Sequence, residues 1–67
     1  MKDELDALAD QLLIVSDRVS ELIFQALRAQ NSNDETASAK ELERDLSRVR
    51  RSLVKAEHIL RGLTPLG

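Results

Sequence analysis

The chain has 67 residues, ten Lys and Arg against twelve Asp and Glu for a formal net charge of −2, and no Cys, Trp or Tyr. With 42% apolar and 33% charged residues it reads as a soluble, mostly helical chain rather than a disordered or collagenous one. Zero cysteines exclude a disulfide scaffold and a single His excludes almost every zinc site, so packing alone must stabilise a chain too short to bury much.

The opening stretch, Met1 to Asp10, is acidic where a signal peptide is basic. The longest run of large apolar residues, Leu12 to Val15, is far too short for a bilayer. Both features predict a cytoplasmic protein with no membrane partner. Lys2-Asp3-Glu4-Leu5 spells a retention signal that acts only at a C-terminus. Asp3, Glu4 and Asp6 instead suit the first turn of a helix, where the positive end of the dipole favours carboxylates.

From Leu5 the apolar positions Leu5, Leu8, Leu12, Val15, Val19, Leu22, Ala26 and Ala29 step by alternating threes and fours, predicting a first helix over about 3–30. Beside this seam runs a second line, Ala9, Leu13, Ser16, Ser20, Ile23 and Leu27, with Phe24 and Ile14 further round. At about 100° per residue the two lines span roughly 160° of the helix, wider than one antiparallel neighbour shields. The polar stretch at 31–33 predicts a turn, and Ser32 with Glu35 matches a capping box, with Asn33 or Asp34 as alternative caps, so a second helix is expected to start near residue 33. One continuous helix in a long dimer is the alternative, but Asn31-Ser32-Asn33 has poor helix propensity.

The second helix, about 33–61, carries its own seam in Ala39, Leu42, Leu46, Val49, Leu53, Ala56, Leu60 and Leu63. Folding the chain about its midpoint pairs each first-helix seam residue with one of these, and every pair of residue numbers adds to 68. The short link and the matched seams predict an all-α fold, an antiparallel two-helix hairpin forming one domain over 1–67. At the far end Gly62, Leu63 and Pro65 predict a glycine-terminated helix with Leu63 folded back, followed by a tail over 62–67.

Seven large side chains, Leu13, Ile14, Ile23, Phe24, Leu27, Val54 and Ile59, find no place inside such a hairpin. Leaving all of them wet forfeits on the order of 10 kcal/mol, comparable to the stability of a small domain. A protein interface is therefore expected on Ala9, Leu13, Ser16, Ser20, Ile23, Phe24 and Leu27, completing a helical bundle with a second copy or another helical partner.

The second helix also bears Arg44, Arg48, Arg51, Lys55 and His58 in one stripe, a candidate contact for nucleic-acid phosphates or an acidic protein surface such as Asp3, Asp10 and Asp17 of a neighbouring copy. No aromatic residue interleaves with it for stacking, and Glu41, Asp45 and Glu57 lie within a turn as partners, as on a solvated outer face. Arg18 and Asp45 flank the seams on one side and are expected to pair across the hairpin. His58 has no nucleophile or orienting group at catalytic spacing, and its neighbour Glu57 is expected to point about 100° away from it. No glycine-rich phosphate loop is present, so neither an enzyme nor a cofactor nor a small-molecule substrate is expected.

Two helices, a polar turn and an aliphatic second helix running into Ala56-Glu57-His58-Ile59-Leu60 resemble the small hairpin co-chaperones of bacterial type III secretion needles. The resemblance spans most of the chain and rests on size and pattern. It implies an adaptor that binds a helical-repeat chaperone, the pair holding a needle subunit unpolymerised, and it implies no catalytic residues. Two other readings stand beside it. One is a homodimeric four-helix bundle that binds RNA or DNA through Arg44, Arg48, Arg51 and Lys55, similar in architecture to small plasmid RNA-binding bundle proteins. The other is an inhibitor that presents the first helix, in the manner of anti-activators and antitoxins.

Overall fold

A computed structural model describes residues 1–29 and 36–63. It contains two helices, α1 (Lys2–Ala29) and α2 (Thr36–Gly62), packed against each other as a helical hairpin, and no strand among the described residues. The expected turn at 31–33, the capping box of Ser32 and Glu35, the start of the second helix near 33 and most of the 62–67 tail lie outside the described residues.

α1 closes its first turn with the amide of Leu5 donating to the carbonyl of Met1 at 3.0 Å, and Asp3 and Glu4 occupy that turn as the dipole favours. Lys2 pairs with Asp6 one turn on, at 3.6 Å. α2 ends differently from the expectation. Gly62 is its last helical residue and has no left-handed φ, the amide of Leu63 donates to the carbonyl of Leu60 at 3.3 Å, and Leu63 is exposed rather than folded back. The helix therefore finishes on a tightened three-residue turn, and the glycine supplies no special backbone conformation there.

The main correction concerns which stripe of each helix meets the other. On α1 the covered stripe runs through Leu5, Ala9, Leu12, Ser16, Val19, Ile23 and Ala26, with Asp6 and Ser20 half-buried beside it, again a four-three rhythm but centred between the two apolar lines. Leu8, Val15 and Leu22, assigned to the seam, lie on one flank and are exposed. α2 is turned by a similar amount: Ala39, Leu46, Leu53 and Leu60 stay inward, while Leu42 and Val49 swing to the edge and Glu43 and Glu57 take inward places.

The physical reason is the breadth of the apolar arc on α1. Facing its middle brings Ala9, Ser16, Val19 and Ala26 under α2, and three of those four carry only one heavy atom or two beyond Cα, so the helices come close. The Ser20 hydroxyl donates to the carbonyl of Ser16 at 3.1 Å, so its polarity is met inside the helix. The buried apolar core among the described residues is only Ala9, Val19, Ala26 and Ala39, with no large side chain fully buried.

Candidate functional site: an apolar face shared by both helices

Because α2 sits over the middle of the α1 arc, both flanks of that arc stay open. On one side a groove is lined by Leu22, Gln25, Ala26 and Ala29 of α1 and by Leu42 and Leu46 of α2, which places the Leu22 and Leu42 edges on the same face of the hairpin. It also sets residues 22 and 26 beside 46 and 42, as the fold about the midpoint requires. Seven-residue spacing stacks Val15 and Leu8 below Leu22 on that face, and Val49, Ala56 and Leu63 below Leu42. A second groove on α2, lined by Val49, Leu53 and Ala56 with Asp45, Arg48 and Ser52 at its margin, continues the same surface.

Leu8, Val15, Leu22, Leu42, Val49 and Leu63 are each between 44% and 54% exposed. No charged residue interrupts either row of this face. Completing their burial is worth about 1 kcal/mol per side chain, so the face holds on the order of 6 kcal/mol of unrealised burial.

The opposite face mixes charge with apolar surface. A groove there is lined by Ser20, Ile23 and Phe24 of α1 and Arg50 of α2. Toward the open end Arg61 joins the helices, donating from Nη2 to Asp10 Oδ1 at 2.7 Å and from Nε to Glu57. Those hydrogen bonds, to Asp10 first and then Glu57, hold the guanidinium above its ordinary pKa against the opposing effect of burial. A cation whose pKa is raised on folding contributes fully below its unfolded value, so this junction is insensitive to pH from neutrality up to the strongly alkaline range. Glu57 is buried, and its other oxygen lies 3.4 Å from His58 Nε2, so the two neighbours approach each other instead of diverging.

Of the seven residues expected to form an interface, Ala9 and Ser16 are buried inside the hairpin and Ser20 and Ile23 are half-buried beside them, whereas Leu13, Phe24 and Leu27 are exposed on the charged side. Ala9 and Ser16 are thus not surface residues, because the close approach of α2 covers them. Val54, also expected to lack a place, is half-buried, while Ile14 and Ile59 are exposed. The missing candidates are Leu8, Val15, Leu22, Leu42 and Val49, which sequence reasoning spent on closing the hairpin.

Arg44, Arg48, Arg51, Lys55 and His58 are all exposed. Arg48 lies 3.9 Å from Asp45 within the helix, and no Arg18–Asp45 pair forms among the described residues. No helix among those residues is long and apolar enough to cross a membrane, and no cluster of three His, Asp or Glu side chains there is disposed to hold a metal ion. No family model matches the sequence, and neither a curated protein nor a solved structure is significantly similar to it.

Proposed function

We propose that this chain is a non-enzymatic protein–protein interaction module, a small helical hairpin that works in the cytoplasm by laying an apolar face against a helical partner. The observation that carries the reading is the pairing of a core limited, among the described residues, to Ala9, Val19, Ala26 and Ala39 with rows of half-exposed apolar side chains on both helices, edged on α2 by Asp45 and Arg48. The face is no longer that of α1 alone. A larger helical protein, such as the helical-repeat chaperone implied by the resemblance to needle co-chaperones, offers the complementary ridges such a face accepts. The basic stripe gives less support to nucleic-acid binding, since its side chains are solvated, partly paired within α2 and free of interleaved aromatics.

A photoreactive amino acid placed singly at Val15, Val49 or Glu21 in the full chain tests this in the native cell. Adducts from Val15 and Val49, but not from Glu21 on the far side of α1, are expected. Adducts from Glu21 alone, or from no position, contradict the proposal.

A further inference from the structure

We propose that the outer edge of α2 is a second binding surface, a row of cations that takes the phosphodiester backbone of a double-stranded nucleic acid. At about 100° per residue Lys40, Arg44, Arg48, Arg51 and Lys55 fall within an arc of roughly 80°, on the side of α2 opposite its inward stripe of Ala39, Leu46, Leu53 and Leu60. All five cations are exposed. At about 1.5 Å per residue the row is roughly 22 Å long, with neighbours about 4.5–6 Å apart along the axis. It lies on a different side of α2 from Leu42 and Val49, so this surface is independent of the apolar face and of its occupant.

The packing of the hairpin is what leaves this edge basic. Of the carboxylates on α2, Glu57 is buried against Arg61 and Glu43 is half-buried, both drawn inward by the rotation that moved Leu42 and Val49 out. No acidic residue of α2 lies inside the arc. Among the described residues Arg48 pairs with Asp45 at 3.9 Å, while Lys40, Arg44, Arg51 and Lys55 form no ion pair. Asp3, Asp17 and Glu21 are exposed on the side of α1 away from α2. Helix axes about 10 Å apart, with side chains beyond each, put roughly 20 Å between the acidic and basic edges, about two Debye lengths at physiological salt. The net charge of −2 therefore does not cancel the row.

The chemistry of the row selects its partner. The arc holds no large apolar side chain, so an acidic protein gains only exposed ion pairs, each contributing little, and a membrane receives nothing to insert. The one aromatic residue of the chain, Phe24, is on α1, so a single strand finds no ring on which to stack its bases. A duplex needs neither. It presents one phosphate per about 1.7 Å of axis, and each cation that neutralises one releases a condensed counterion.

Fluorescence anisotropy of labelled DNA and RNA duplexes, titrated with the full chain from about 50 to about 200 mM salt, tests the proposal. Five neutralised phosphates predict a slope of log K against log salt of about −4.5, a fall in affinity of roughly 500-fold over that range. Arg44→Gln with Arg51→Gln should bring the slope to about −2.7, whereas Arg28→Gln with Arg50→Gln, an equal loss of charge off the row, should leave it unchanged. All four positions are exposed, so helicity by circular dichroism should not change in either variant. The duplex bound more tightly identifies DNA or RNA as the source of the backbone. Failure to bind either duplex at the lowest salt overturns the proposal, and polyglutamate bound in their place makes the partner an acidic protein instead. So does a labelled single strand bound as tightly as the duplexes, or a slope that both double variants reduce alike.

Discussion

Ala9 and Ser16 govern how the two helices meet. Both are buried where α2 crosses the middle of the α1 arc, and neither leaves room for a longer side chain. Ala9→Leu is therefore expected to destabilise the hairpin by about 1–3 kcal/mol through overpacking, read as a lower urea midpoint with an unchanged m-value. Leu8→Ala, next along the chain but on the open flank, should cost less in the unpartnered hairpin than a fully buried Leu→Ala. Gly62 behaves in the opposite sense: its φ is ordinary, and a Cβ there meets nothing within 4 Å. Gly62→Ala should stabilise by roughly 0.4–1 kcal/mol, because alanine has less unfolded-state entropy to lose. No change or a loss in thermal stability would show that the end of α2 depends on the glycine after all.

At the scale of elements, the hairpin and the three-four rhythm of both helices were legible in the sequence, because heptad spacing on either side of a polar break has few other solutions. The rotation of the helices about their own axes was not. α1 offers three adjacent stripes of comparable apolarity, and hydrophobic pattern alone cannot rank them. What ranks them is side-chain size, since the middle stripe contains Ala9, Ser16 and Ala26 and lets α2 approach closest. The same rotation moved Leu42 and Val49 outward and drew Glu57 inward, where Arg61 binds its carboxylate and reaches across to Asp10. Removing that guanidinium leaves a buried carboxylate without its principal partner. Arg61→Ala should consequently lower the unfolding temperature clearly more than Arg51→Ala, and its effect should shrink when Glu57 is also replaced by Gln. Equal effects of the two arginine variants would mean that the junction at the open end is only a surface pair.

For the whole molecule, a buried apolar core limited to Ala9, Val19, Ala26 and Ala39 among the described residues sits beside a face whose six large side chains are each about half covered. A hairpin of this size gains too little from such a core to be strongly cooperative alone, and covering the face is the available source of further stability. The two sides of the hairpin provide their own control, because Val49 and Leu13 are similarly exposed, 47% and 40%, on opposite faces. The most direct test is photocrosslinking in the native cell from Val49 and, in a separate variant, from Leu13. Adducts from Val49 and none from Leu13 are the predicted result. Adducts from Leu13 instead, or from neither position, would contradict it.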